Sequence, residues 1–188
     1  AASVWGRPKS LRKSWDTTKV AVTNNAMAAN SMVLVTDEIG AGDAKKFGSV
    51  IYSTINGNSR EKGLVGGGNE ESKSWLITLL STGEMPMNQF IESAGEKVKG
   101  GQEIRMLDVP AAGGFGAFDC IHHYAGGAEF SRAVCVAARR DCGRAGRAFV
   151  AWLIQNRDKV KPWVLETESR LLAELPAHAA PLVKRATR

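Results

Sequence analysis

Two kinds of apolar spacing alternate along roughly the first 110 residues. Short runs of almost uninterrupted apolar residues, "MVLVTD" (32–37) and "WLITLLSTGE" (75–84), are typical of strands in the middle of a sheet that helices cover. Between them, in "GDAKKFGSVIYSTING" (42–57), apolar residues recur at helical spacing, which predicts a helix capped by Asp43 and ended near Gly57. The alternation predicts an α/β fold with a parallel sheet.

Other segments of this half carry weaker patterns. We expect a strand or strand-turn over "SWDTTKVAV" (14–22), a short helix over "TNNAMAANS" (23–31) capped by Thr23 or Asn24, a helix over "MPMNQFIESAGEKV" (85–98), and a strand over "QEIRMLDVP" (102–110) closed by Pro110. The stretch between residues 56 and 74 is rich in glycine and charge, so it is predicted to be a loop or an exposed hairpin.

The last third of the chain has a helical pattern. From Ala128 to Leu175 we expect three helical segments, divided near Gly143 and Pro162. The change of pattern divides the chain into a core, residues 1–127, and a helical C-terminal region, residues 128–188.

Composition narrows the classes of protein. With 44% hydrophobic and 23% charged residues, the 188-residue chain reads as a soluble globular protein. Its apolar runs are shorter than the roughly 20 residues that a membrane span needs, so no membrane partner is expected. The net charge of +6 makes a polyanion such as nucleic acid a plausible partner. Three cysteines without a CxxC pair suggest the reducing cytoplasm.

Two carboxylates, Asp37 and Glu38, follow the first apolar run. Either the pair starts the next helix, or Asp37 holds Mg²⁺ and Glu38 activates a water, which is the Walker B arrangement of P-loop nucleotide hydrolases. Ser81 and Thr82 end the next apolar run, where a hydroxyl could touch the γ-phosphate of ATP or the attacking water. They could equally cap the following helix, and the two roles are compatible.

Five segments together resemble a known family: "AASVWG", "SWDTTKVAVTNNAMAANSMVLVTDEIG", "YSTINGNSREKG", "WLITLLSTGE" and "GQEIRMLDVPA". They resemble a domain of unknown function in plasmid, phage and integrative-element proteins, whose members look like P-loop ATPases related to replicative helicases. The resemblance covers about residues 1–155. It implies a parallel-sheet P-loop NTPase core of RecA or AAA+ type, ATP and Mg²⁺ as cofactors, DNA as a partner, and a homo-oligomer such as a hexameric ring. Family members commonly have a glutamate and a histidine before Walker B, where this chain has "NNAMAANS".

One part of that family pattern is absent. No GxxxxGKS/T sequence, whose amides and lysine cradle the β- and γ-phosphates, occurs in the 188 residues. The family places it just before Ala1. We therefore expect an ATPase cut after its Walker A helix, inactive as a hydrolase when alone.

The resemblance also suggests roles for three cations. Arg105 matches the arginine that such ATPases offer to the nucleotide of a neighbouring subunit, where a planar guanidinium can spread over phosphoryl charge. The alternative is a surface arginine that pairs with Asp108 or Glu103. Arg60 and Lys62 occupy the loop from which related ring helicases project a DNA-contacting hairpin; the alternative is a solvated loop. The sequence thus predicts a fragment of a helicase-like DNA motor, or else a non-catalytic DNA-binding or assembly module that keeps the fold.

Overall fold

The computed structural model describes residues 1–59, 61, 63, 66–68, 71–111, 113–176, 178, 179, 181 and 183. Contacts between Cα atoms divide the chain into two units. One unit combines Ala1–Leu11 with Asp108–Val160, and the other combines Arg12–Leu107 with Lys161–Arg188. The division between residues 127 and 128 stays a prediction.

A three-stranded parallel sheet organises the second unit. Its strands, in spatial as well as chain order, are β1 (Arg12–Ser14), β2 (Met32–Asp37) and β3 (Ile77–Ser81). Ser14 is paired with Asp37, and Thr36 is paired with Ser81. The carboxyl ends of all three strands therefore lie along one edge. The predicted α/β fold with a parallel sheet and a central strand at 32–37 is confirmed.

The core of this unit lies mainly on one face of the sheet. The helical elements here are α3 (Lys19–Ala28), a 3₁₀ helix (Ile39–Ala41), α4 (Ala44–Ile55), α5 (Met87–Glu92) and α6 (Gly100–Glu103). Leu34 and Leu79, which are register partners, pack into the apolar clusters that these helices help to form. On the opposite face Leu80 is 45% exposed. The apolar runs had suggested strands that helices cover on both faces. Within the described residues, the two faces of the sheet are not covered equally.

Local hydrogen bonds explain where α3 and α4 begin. The Asp43 side chain accepts from the backbone N–H of Lys45 at 3.1 Å, which confirms the predicted cap of α4. Thr18 caps α3 by accepting from the N–H of Ala21 at 3.2 Å. The strand or strand-turn predicted over 14–22 and the cap predicted at Thr23 or Asn24 are therefore wrong, because the strand ends at Ser14 and Thr18 already starts the helix.

The segment around Arg105 is also different from the prediction. The strand expected at 102–110 is wrong, because α6 occupies its beginning. Gln102 of α6 is buried, and its Oε1 accepts from the N–H of Lys99 at 2.9 Å. A Cβ on Gly48 of α4 would overlap the Gln102 side chain, so this glycine permits the close packing of α6 on α4. The α5 helix ends at Glu92, earlier than predicted.

The first unit is built from helices. These are α1 (Ala2–Trp5), α2 (Pro8–Leu11), α7 (Gly127–Arg140), α8 (Arg144–Gln155) and the start of α9 (Arg157–Glu174). Gly143, with φ of 78°, separates α7 from α8, as predicted. Pro162 lies inside α9, so the division expected there is wrong; the break falls at Asn156. None of the helices in the described part of the chain is long and apolar enough to cross a membrane.

Candidate functional site

The carboxyl ends of β2 and β3 bring Asp37, Glu38 and Thr82 together. The Thr82 hydroxyl donates to Asp37 Oδ1 at 2.6 Å and accepts from the backbone N–H of Glu38 at 3.1 Å. The Thr82 carbonyl accepts from the N–H of Ile39 at 2.9 Å, which extends the pairing of the two chains beyond the strands. Three of the residues predicted from sequence thus form one connected group at the edge of the sheet.

Arg12, which the sequence analysis did not single out, is the fourth member of this group. Its Nη1 lies 3.1 Å from Asp37 Oδ2, and the two side chains are 61% and 40% exposed. The short strand β1 places it there, since Ser14 is the register partner of Asp37. An ion pair this exposed contributes only about 0–1 kcal/mol, so another cation could replace the guanidinium at little cost.

Glu38 has two structural features of its own. Its backbone has φ of 58°, in the left-handed region that is unusual for a residue other than glycine. Its Oε1 accepts from the N–H of Gly40 at 3.1 Å and so caps the 3₁₀ helix. The contacts of Glu38 are therefore those of a residue that starts a helix, which is one of the two alternatives for the carboxylates. The residue is nevertheless exposed, so the cap does not shield its carboxylate from water.

Ser81 contacts this group only at its backbone, because its hydroxyl donates to the carbonyl of Thr82 at 3.3 Å. The indole Nε1 of Trp15 donates to Ser81 Oγ at 2.8 Å, and Trp15 is 3% exposed in the apolar core. The hydroxyls of the two neighbours therefore have different partners, Trp15 for Ser81 and Asp37 for Thr82. Trp15 was missed by sequence analysis. The signal that could have found it is a tryptophan directly after the short polar segment "RKS".

A glycine permits the close approach of the two strand ends. A Cβ on Gly83 would lie 2.6 Å from Cγ2 of Ile39, a buried residue directly after Glu38. Any larger residue at this position would push the Thr82 segment away from the carboxylates.

Arg105 lies apart from this group and is held against α4. Its Nε donates to Asn56 Oδ1 at 3.0 Å, and its Nη1 donates to the carbonyl of Gly101 at 2.5 Å. The guanidinium carbon also lies 4.6 Å from the ring centroid of Tyr52, in a cation–π arrangement. The three contacts fix the guanidinium at the C-terminal end of α4.

The predicted DNA contacts Arg60 and Lys62 lie outside the described residues. The described residues on either side of them pair with each other: Asn58 and Ser74 form an antiparallel bridge, and the N–H of Ser59 donates to the carbonyl of Lys73 at 2.7 Å. The described residues contain no group of three or more His, Cys, Asp or Glu side chains placed to hold a metal ion.

Comparisons with known proteins give two matches. A family model described as "Domain of unknown function (DUF927)" matches residues 1–74, which confirms the predicted resemblance over that range. A solved structure titled "SCCmec type IV Cch - active helicase" is similar in fold, with a TM-score of 0.67 and 18% sequence identity. That similarity covers 100% of this chain and 31% of the helicase chain, so the chain spans about a third of that protein. No curated protein matches.

Proposed function

We propose that this chain is part of an ATP-hydrolysing, helicase-like DNA motor of a mobile genetic element. The proposal depends on the group of Asp37, Glu38 and Thr82 at the carboxyl edge of a parallel sheet. Open α/β sheets bind their ligands at this edge. The similarity in fold to a protein titled as an active helicase supports the choice among nucleotide hydrolases.

The donor atoms of this group fit a magnesium site completed by a nucleotide. Mg²⁺ prefers oxygen ligands and is usually held by one or two carboxylates together with substrate phosphates. Asp37 provides the carboxylate, and the Thr82 hydroxyl orients it. Asp37, whose present ion pair with Arg12 is exposed, would hold the ion, which would supply positive charge against developing phosphoryl charge.

Glu38 and Thr82 have distinct roles in this proposal. Glu38 orients and polarises the attacking water, and Thr82 senses the phosphate. Ser81 has an indirect role, because Trp15 holds its hydroxyl and so fixes the position of the next residue, Thr82. The left-handed backbone at Glu38 is consistent with a functional position, since strain of this kind clusters at active sites.

The remaining roles concern a homo-oligomer, for which a hexameric ring is the arrangement that the family resemblance suggests. Arg105 then serves the nucleotide of a neighbouring subunit, and Arg60 and Lys62 contact DNA from their loop. The contacts of Arg105 with Asn56, Gly101 and Tyr52 support a fixed guanidinium, which suits a group that stabilises charge by position.

The decisive experiment is Glu38→Gln in a longer protein that carries a GxxxxGKS/T loop. Glutamine keeps the oxygen that caps Gly40 but cannot accept a proton, so the substitution separates the two roles of Glu38. We expect ATP binding to be retained and turnover to fall by at least ~100-fold, since a general base contributes about 10²–10⁴. Glu92→Gln, on the exposed surface of α5, is the matched control and should leave turnover unchanged.

A second candidate function has an observation in its favour. The Glu38 side chain caps a helix and Asp37 is paired with Arg12, which are also the contacts of a purely structural turn. The chain would then belong to a non-catalytic DNA-binding or assembly module. Undiminished turnover of the Glu38→Gln variant, or no hydrolysis by the longer protein at all, would favour this candidate.

A further inference from the structure

A cleft of about 780 Å³ lies over the exposed side of α4, apart from the strand-end group. The residues that line this cleft do not include Asp37, Glu38 or Thr82. Its cationic lining consists of Lys19, Lys45, Lys97 and Lys99. They come from α3, from α4 and from the segment between α5 and α6, so three parts of the chain contribute charge to one cleft.

The charge of this lysine cleft is not balanced by its own lining. Glu96 is its only carboxylate among the described residues. Among the described residues, none of the four lysines forms an ion pair, whereas Lys46, the neighbour of Lys45, has its Nζ 2.9 Å from Asp43 Oδ2. A concave surface with several unneutralised ammonium groups concentrates anions.

The uncharged lining indicates what kind of anion fits. It consists mostly of small polar side chains, those of Ser49, Ser53, Asn56, Asn58, Ser59 and Gln102. Such groups contact phosphate and sugar without reading sequence. Tyr52, which is 46% exposed, lies in the lining with the Arg105 guanidinium 4.6 Å from its ring centroid, so a further positive charge lies beside the cleft.

The position of the cleft favours an extended polyanion over a small one. Its four lysines come from α3, from α4 and from the segment between α5 and α6, so its positive charge is spread over the cleft rather than gathered at one point. Lysines bind phosphates as flexible point charges, which suits a sliding strand more than a single fixed phosphate group.

We infer that the lysine cleft binds the phosphate backbone of a single strand of nucleic acid. This deepens the proposed function, because it assigns the strand a path over α4. It depends on the DNA-motor proposal only for its biological purpose, since binding itself requires neither ATP nor hydrolysis.

The test measures binding of a fluorescent 20-nucleotide oligodeoxythymidine to the 188-residue chain, without nucleotide, across a series of salt concentrations. The variant is Lys45→Ala combined with Lys97→Ala and Lys99→Ala. Its control is Lys9→Ala combined with Lys46→Ala and Lys159→Ala, which removes the same charge from exposed positions outside the cleft. Thermal unfolding of both variants checks that the fold is retained.

We expect the cleft variant to lower affinity at least tenfold at low salt. The slope of log affinity against log salt should decrease by roughly 2, since each contact with a single strand contributes about 0.7. The control should keep at least half of the wild-type affinity. Equal losses in both variants would mean that only net charge matters and would overturn the inference.

Two further outcomes would also overturn it. One is the absence of oligonucleotide binding by the wild-type chain at low salt. The other is displacement of the strand by a single equivalent of tripolyphosphate, which would identify a site for a small phosphate ligand. Failure of the ATPase proposal is recognised separately, because it is measured as turnover of the longer protein.

Discussion

Ser81 and Thr82 are neighbours in the sequence, yet their hydroxyls have different surroundings. Ser81 accepts from the buried indole of Trp15, whereas Thr82 donates to the Asp37 carboxylate. The side chain that faces the core secures the end of β3, and the one that faces the carboxylates takes part in their hydrogen bonding. A pair of hydroxyl residues after a strand therefore does not form one functional unit.

At the residue scale, the proposed role of Thr82 predicts the effect of Thr82→Val. Valine has nearly the same shape but cannot donate to Asp37. In the longer protein we expect turnover of ATP to fall at least tenfold and the magnesium concentration for half-maximal rate to rise, since charge-assisted hydrogen bonds are among the strong ones. Thr82→Ser, which keeps the hydroxyl, should restore most of the rate. Equal rates for valine and serine would remove Thr82 from the site.

At the element scale, the length and pattern of each segment decide how far sequence could predict it. The strand at 32–37 and the cap at Asp43 were predictable, because each has a strong local signal of its own. β1 was not, since "RKS" has no apolar pattern and is a strand only through pairing with β2. Likewise, "QEIRML" alternates like a strand, but burial of Gln102 against Gly48 favours a short helix.

The same reasoning explains what could be predicted of the site. Asp37 and Glu38 were found because they follow a recognisable strand. Arg12 and Trp15 were missed, because their roles depend on the register of an element that the sequence does not reveal.

The approach of β3 to the Glu38 turn predicts a cost for Gly83→Ala. The added Cβ would lie 2.6 Å from Cγ2 of Ile39, which is buried and cannot easily move. Overpacking of this kind typically costs about 1–3 kcal/mol of unfolding free energy. Gly114→Ala, where nothing lies within 4 Å of the added Cβ, is the control for chemical denaturation. Equal stability of the two variants would show that the Gly83 turn can relax.

The cap of α4 predicts a dependence of stability on pH. The hydrogen bond from the Lys46 side chain, with those from the backbone N–H groups of Lys45 and Lys46, lowers the pKa of Asp43 from its usual 3.8. A lowered pKa in the folded state stabilises the protein above the unfolded pKa, and this contribution is lost as the pH falls through the folded pKa.

We therefore expect Asp43→Asn, which keeps the capping oxygen and removes only the charge, to lower the unfolding temperature at pH 7 by no more than roughly 1–2 °C. The difference from wild type should shrink as the pH falls through the lowered folded pKa of Asp43, because protonation then removes the same charge that the substitution removes. Asp16→Asn, on the exposed surface, controls for the loss of one negative charge. A difference that stays constant from pH 7 to pH 2 would contradict the assignment to the Asp43 carboxylate.

At the scale of the whole molecule, the fold is similar to that of a helicase over the entire chain at only 18% identity. A fold can persist at this identity while its chemistry changes, so the function must be argued from the site. Here the site contributes a carboxylate, a candidate base and a hydroxyl, but the 188 residues contain no GxxxxGKS/T loop to hold phosphates. Nucleotide binding is therefore the property that most directly tests how the molecule is organised.

We predict that the 188-residue chain shows no saturable binding of Mg-ATP in calorimetry at millimolar ligand. The backbone amides and lysine of a P-loop supply most contacts with the β- and γ-phosphates, and Asp37 alone, paired with Arg12, cannot replace them. A longer protein with the loop should bind saturably, and Asp37→Asn should weaken that binding only when magnesium is present. Saturable, magnesium-dependent binding by the 188-residue chain would contradict the prediction. Repeating the titration with Lys45, Lys97 and Lys99 replaced by alanine would then show whether the lysine cleft holds the phosphates instead.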